Sequence, residues 1–352
     1  MTIPWLNVQQ EAEPVLAPVP DSPAPRVRSR VGIAIVVMAL GYLVPTAISS
    51  ASTMTVLLNG IVLGLTALPV AFLLDSLGWV SFGAAAFSGG AAYLFGILCV
   101  SGNSSVLPSA GYAVLLATVA SLLIGMIFVR SKLLVFTILT LALSQIVLQL
   151  VSLNSLSSTT GGSNGLVIND HGSLFGLSPL ELTEPGHLWY VAWTVVMLAV
   201  IAVLAVRLSR AGRLLRGIRE NEPRLQHSGF DTYWPKVLAF GFAGLLGALA
   251  GVLQAMSIAF VSTDVLSFGA SGTALVAALI GGYRSSYGPI IGGLLLTYGE
   301  NYFGSTGQLF LYTGIAIVVV LVVFPAGISG VLDWLWRAGE SRVRRGAIRR
   351  RS

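Results

Sequence analysis

The sequence predicts an all-α fold: a polytopic helical membrane protein of about eight to ten transmembrane helices, with both termini in the cytoplasm. Three observations carry that prediction. Hydrophobic residues fill 55% of the 352 positions and charged residues only 10%, against roughly 25% charged in a soluble domain, so the chain cannot clothe a water-facing surface. The apolar residues gather into runs of about 20, the length a helix needs to cross the hydrocarbon core. All 20 lysines and arginines except Arg284 fall in four segments that the runs place on one side, as the positive-inside rule requires. The same composition excludes disorder for most of the chain. It also excludes a soluble enzyme or a nucleic-acid-binding domain, although the net charge of +6 would suggest nucleic acid in a soluble protein.

Residues 1–30 are Pro-rich and polar, with Glu11, Glu13 and Asp21, and end in Arg26, Arg28 and Arg30. No apolar core precedes a small-residue cleavage site, so they read as a disordered cytoplasmic tail and not a signal peptide. Spans are predicted over 31–49, 54–74, 78–100, 112–129, 133–153, 188–206, 237–260 and 309–324. The run 267–298 is apolar but interrupted by Gly281-Gly282-Tyr283-Arg284-Ser285-Ser286-Tyr287-Gly288-Pro289. It is either two short helices or a re-entrant hairpin packed inside the protein. Two helices give about ten spans and put Arg284 inside with the other cations, which favours ten; a re-entrant hairpin gives about eight. The transmembrane domain covers 31–332, with a cytoplasmic loop at 207–236 and an extracytoplasmic loop at 154–187. A basic cytoplasmic tail follows at 333–352, and its arginine cluster (Arg342, Arg344, Arg345, Arg349, Arg350, Arg351) could rest on anionic membrane lipid or be solvated. The single cysteine, Cys99, reads as a small hydrophobe.

Loop 207–236 is the most informative segment. Leu214, Leu215 and Ile218 alternate with Arg213, Arg216 and Arg219 at helical spacing. Glu220, Asn221, Glu222 and Pro223 suit a second helix start, and Gly229 its end. A loop that only sets topology needs none of this, so a short helix presented to a cytoplasmic partner is expected. The outer run Ser157-Ser158-Thr159-Thr160-Gly161-Gly162-Ser163-Asn164-Gly165 predicts tight turns, in a flexible connector or a contact surface. In span 133–153, Thr137, Thr140 and Ser144 share a face that Gln145 and Gln149 extend. Helix-to-helix hydrogen bonding and a translocation path fit that stripe equally. Ala243, Gly247 and Gly251, with Gly244 and Ala248 beside them, and the set Gly83, Ala86 and Gly90 predict close helix packing.

Charge inside the spans is nearly absent: Asp75 falls at an inner end and Glu300 near an outer one, which argues against a proton- or sodium-coupled carrier. Ser81-Phe82-Gly83-Ala84 recurs as Ser267-Phe268-Gly269-Ala270, which would fit an inverted repeat, though a four-residue match recurs readily by chance. No Walker A pattern occurs, and His171, His187 and His227 are scattered without zinc-ligand spacing. No catalytic residue and no metal site are expected.

Four segments resemble the LivM-type membrane permease of branched-chain amino-acid ABC importers: GWVSFGAAAFSGGAAY from Gly78, VFTILTLALSQI from Val135 with TGGSNGL from Thr160, GRLLRGIRENEPRLQHSGFDTYWPKVL from Gly212, and the stretch from Leu266 through GGYRSSYGPIIGGLLL to Glu300. FPAGISG from Phe324 resembles the family's close. The resemblance runs in order from about Leu58 to Leu335. It implies a permease subunit that binds no cofactor, with ATP used by cytoplasmic ATPase subunits, a second homologous permease subunit beside it and an extracytoplasmic solute-binding protein. It maps the ATPase-coupling segment onto Arg216, Arg219, Glu220, Asn221, Glu222 and Gly229, leaves Thr137, Thr140, Ser144, Gln145 and Gln149 as path candidates, and implies a multi-pass protein of the bacterial inner membrane. Trp79 and Ala84 stand where family members often have Gln and His, and a Gly is common near Asp75. These departures bear on the substrate: amino acids, branched-chain by default, with urea, short amides or sugars as alternatives in the same importer class. A stand-alone channel or secondary carrier is the alternative from another class.

Overall fold

Among the described residues of the computed structural model, five helices are long and apolar enough to cross a membrane. The structure describes residues 41–48, 50–101, 106–168 and 185–304, with 314, 327, 328 and 330. Met1–Gly41 and Tyr42–Ser352 are separate units, and the fold given is that of the second. Its helices are α1 (Ala51–Leu77), α2 (Ala84–Ser101), α3 (Val106–Phe128), α4 (Leu133–Val151), α5 (Pro185–Leu208), α6 (Arg210–His227), α7 (Tyr233–Ile258), α8 (Phe268–Gly281) and α9 (Gly288–Gly304). The five long ones are α1, α3, α4, α5 and α7. Two short strands, β1 (Leu166–Val167) and β2 (Phe260–Val261), pair antiparallel, Leu166 opposite Val261. The expected tails 1–30 and 333–352, residues 31–40 and, apart from Gly314, the expected span 309–324 lie outside the described residues.

Hydrophobicity alone does not choose the faces of the five long helices, because they are apolar all round. Small residues choose them. α1 and α7 are mostly buried and form the centre; α3 and α4 are mostly exposed. α1 packs on α9, α7 and α8, while α7 packs on α2, α3 and α1. Lipid supplies no hydrophobic force between helices, so close backbone approach carries the packing. A Cβ at Gly251 would stand 1.8 Å from the Ser88 carbonyl oxygen, one at Gly244 2.1 Å from Ser121 Oγ, and one at Gly293 2.4 Å from the Gly64 nitrogen. Gly247 meets Phe87, and Gly83 meets Thr140, but Gly90 faces open space and does not pack as the sequence pattern suggested. Gly251→Ala is expected to cost about 3 kcal/mol, the upper part of the overpacking range. The readout is a lower thermal midpoint in detergent; an unchanged midpoint would refute the close contact.

One expected span is corrected. Run 78–100 is not one helix. α1 stops at Leu77, Gly78 turns the chain at φ 73°, and α2 begins only at Ala84. The Gly78 N–H donates to the Leu74 carbonyl at 3.1 Å and the Trp79 N–H to that of Leu73 at 3.4 Å, a left-handed helix stop hidden in an apolar run. Run 267–298 breaks where the glycines interrupt it, into α8 and α9, of 14 and 17 residues. Arg207 at the end of α5 donates to the Tyr283 and Arg284 carbonyls, both at 2.9 Å, so the α8–α9 turn sits at the same end of the bundle as Arg207. The two Ser-Phe-Gly-Ala sequences both lie at helix starts, those of α2 and α8, and their Phe82 and Phe268 rings are 5.4 Å apart. Cys99 of α2 is buried in a core with Tyr93, Phe95, Val106 and Ala255.

Candidate functional site

Two sets of polar contacts meet at the Lys/Arg-rich end, which the positive-inside rule makes the cytoplasmic one, and a third lies deeper along the spans. The first organises α6. Ser209 caps it, its Oγ accepting the Gly212 N–H at 3.2 Å, which satisfies one orphan donor. Gly212, Leu215 and Ile218 are buried, while Arg210, Arg213, Arg216, Arg219 and Glu220 are exposed. The helix is interrupted at Asn221, whose backbone is extended (φ −160°, ψ 87°). It restarts there because Asn221 Oδ1 accepts the Arg224 N–H at 3.0 Å, with Pro223 tolerated in a first turn. Gly229, at φ 82°, ends it. The Gly229 N–H donates to Gln226 O at 3.0 Å and the Phe230 N–H to Leu225 O at 3.2 Å, the bond pair of a Schellman end.

From that second segment Glu222 reaches the start of α7. Its Oε1 accepts from Lys236 Nζ at 2.5 Å, Thr232 Oγ1 at 2.9 Å and Gln226 Nε2 at 3.3 Å. Lys236 is buried, and its ammonium stands 5.8 Å from the Trp79 ring centre, within cation–π range. Trp79 lies 4.4 Å from the Phe136 ring of α4. One carboxylate thus links the cytoplasmic helix to α7 and, through Lys236, to the connection between α1 and α2.

The second set surrounds Asp75, in the last turn of α1. An acid there opposes the helix macrodipole, and two arginines offset it. Arg219 donates to the Asp75 carbonyl at 2.8 Å and faces Oδ1 at 3.9 Å. Arg207 Nε stands 3.3 Å from Oδ2, an ionic contact without hydrogen-bond alignment. Its other nitrogens donate to the Tyr283 and Arg284 carbonyls and, at 3.3 Å, to Ser286 Oγ. Arg216 donates to the Arg207 carbonyl at 3.0 Å. Asp75 and Arg207 thereby join α1, α5 and the α8–α9 turn, and Arg219 adds α6.

The third set grips the unwound stretch 78–83. Non-helical backbone at membrane depth needs partners for its polar groups, and α4 and α8 supply them. Thr137 Oγ1 donates to Val80 O at 3.0 Å, and the Phe82 N–H donates to Thr140 Oγ1 at 3.2 Å. Ser144 Oγ and Ser271 Oγ donate to Phe82 O at 2.9 and 2.6 Å. The Ala85 N–H donates to Ser271 Oγ at 3.1 Å. Gln145 is half-buried and Gln149 exposed; neither takes part in this grip. A cavity of about 10 Å³, room for at most one water, lies between Pro69, Ser81, Phe87 and Gly247.

Sequence reasoning missed Arg207 and Ser271, whose partners are distant in sequence, and Thr232 and Lys236, whose partner Glu222 lies beyond the reach of a helical period. It noted Asp75 and Trp79 without their roles. The letters of residues 161–165 fit G-x-S-x-G, but they form a 3-10 turn, Gly162–Asn164, after the single helical turn Ser157–Thr160. A nucleophile elbow instead joins a strand to a helix. Among the described residues no group of three or more His, Cys, Asp or Glu is placed to hold a metal ion.

Residues 52–332 match the family described as branched-chain amino acid transport system / permease component. The chain is 32% identical over 144 residues to the high-affinity branched-chain amino acid transport system permease protein LivH of Escherichia coli strain K12, covering 40% of this chain and 46% of that protein. It is 26% identical over 243 residues to LivM of the same strain, covering 63% of this chain and 56% of the relative. With BraD of Pseudomonas aeruginosa it shares 28% over 162 residues, 45% of this chain and 52% of the relative. The matches thus span about half the length of these curated relatives. No solved structure matches the chain significantly.

Proposed function

Because the chain belongs to the family of branched-chain amino acid transport system permease components, we propose that it is the membrane-spanning permease subunit of a binding-protein-dependent ABC importer of the bacterial inner membrane. Its substrates are amino acids, branched-chain ones first. It performs no catalysis and binds no cofactor; cytoplasmic ATPase subunits hydrolyse ATP. An extracytoplasmic binding protein delivers the solute, and a second homologous permease completes the path.

The observation that carries this reading is the placement of α6. Its exposed face is free for a partner groove, as a helix-in-groove contact requires. Glu222 and, from the edge of that face, Arg219 tie the helix to α7 and α1. A closing motion of the ATPase pair pushes on 207–236 and is passed to the spans, shifting them between inward- and outward-open arrangements. Thr137, Thr140 and Ser144 hold stretch 78–83, and with Gln145 and Gln149 on the same helix they are the residues proposed to line the path. Thr140→Val with Ser144→Ala is expected to lower the uptake rate at least tenfold, since Phe82 loses a partner for its N–H and one for its carbonyl. Unchanged rate and apparent affinity would reduce the stripe to packing.

Co-purification of the tagged chain in mild detergent tests the whole reading. ATPase subunits and a second permease in fixed proportion, with ATP-dependent leucine uptake on reconstitution, are the expected outcome. Uptake by the lone chain without ATP would overturn it in favour of a channel or carrier.

A further inference from the structure

The turn between α3 and α4 carries two cations, Arg130 and Lys132, and both are exposed. No carboxylate pairs with either among the described residues; the ion pairs of this end use Arg207, Arg219 and Lys236 instead. Arg130 is nonetheless held: its guanidinium stands 5.4 Å from the ring centre of Tyr233. That ring is fixed by a hydrogen bond from its hydroxyl to the Met126 carbonyl at 2.9 Å. Asp231, the nearest acid in sequence to Tyr233, has Oδ1 engaged by the Tyr233 N–H at 2.9 Å. Exposed apolar residues stand close in sequence on the same helices: Ile127 is 71% exposed, Leu134 78%, Leu238 60% and Trp234 52%. Positive charge alone would satisfy the topology rule. It does not account for a cation stacked on a tethered tyrosine, with an exposed tryptophan against the same ring and exposed apolar residues within four positions on the same helices.

We propose that Arg130, Lys132, Tyr233 and Trp234 form a binding site for one anionic phospholipid of the inner leaflet. Arg130 and Lys132 take the phosphate, and Tyr233 and Trp234 sit at the headgroup level, where amphipathic rings are favoured. Ile127, Leu134 and Leu238 receive the acyl chains. The chemistry matches a lipid because each cation stands within three residues of an exposed apolar side chain, Ile127 or Leu134, and charge complementarity selects an anionic headgroup. The site rests only on the chain being membrane-embedded, so it stands or falls separately from the identity of the solute.

The test is native mass spectrometry of the full chain, purified in mild detergent and titrated with phosphatidylglycerol or phosphatidylcholine. The wild-type chain is expected to retain phosphatidylglycerol preferentially. Each basic side chain near an anionic surface is worth about fivefold, so Arg130→Gln with Lys132→Gln should weaken phosphatidylglycerol retention by about 25-fold and leave phosphatidylcholine unchanged. Arg130→Lys with Lys132→Arg keeps the charges and should retain most of the binding, which separates lost recognition from a damaged fold. Equal retention by the neutral and wild-type chains would overturn the proposal. So would a neutral pair that loses a co-purifying protein subunit while phosphatidylglycerol retention is unaffected, since the patch would then be a protein interface.

Discussion

Glu222→Arg is expected to abolish ATP-driven uptake while the chain still inserts into the membrane. The substitution sets a guanidinium against the buried ammonium of Lys236, where a carboxylate now accepts from three donors. Removing one member of a buried ion pair costs about 3–5 kcal/mol; Glu222 keeps some water contact, so the lower figure applies to Glu222→Gln. That cost falls on the attachment of the short helix to α7, because the spans owe their packing to glycine contacts elsewhere. Uptake into inverted or right-side-out vesicles, read beside immunodetected membrane levels, separates the two effects. A double variant, Glu222→Lys with Lys236→Glu, should recover part of the rate. Normal uptake by Glu222→Arg would show that the helix transmits nothing through this carboxylate.

The second large effect belongs to Arg207. Arg207→Lys preserves the charge but is expected to behave nearly as badly as Arg207→Gln, with uptake reduced about 100-fold. The guanidinium reaches Asp75, two carbonyls and a hydroxyl at once. A lysine ammonium is a point donor and cannot span that set. Asp75→Asn should act through the same junction but more mildly, since Arg207 keeps its carbonyl partners. ATPase activity of the reconstituted complex, measured beside uptake, is the discriminating readout: hydrolysis that continues while transport stops marks a broken transmission and not a missing subunit. If Arg207→Lys transports at the wild-type rate, the junction is a static brace.

How much of this was legible in the sequence depends on the range of the interaction. Apolar length located the five long helices, because each needs only its own residues to satisfy its backbone. The helix start at Asn221 and the stop at Gly229 were readable for the same reason: cap and capped group are neighbours. Gly78 is also a local stop, yet it went unread because Trp79 and Val80 continue the apolar pattern and periodicity carries no sign in a helix that is apolar all round. The polar stripe of α4 was visible as a face, but its partner is an unwound stretch 62 residues earlier for Ser144. Ser271 joins the same carbonyl from 189 residues away. The meeting of Arg219 with Asp75 spans 144 residues. No periodicity encodes such pairings; they follow from how α1 and α7 pack.

Cys99 gives this chain an experimental property of its own. It is the single thiol in 352 residues, and at 1% exposure it is shielded from aqueous labelling reagents. A reporter cysteine placed on the exposed face of α6, such as Arg213→Cys, could therefore carry a fluorophore or spin label without first stripping the native residue. Two such labels, one on α6 and one near Val167 in the strand pair, would test the proposed opening and closing as a change in one measured distance.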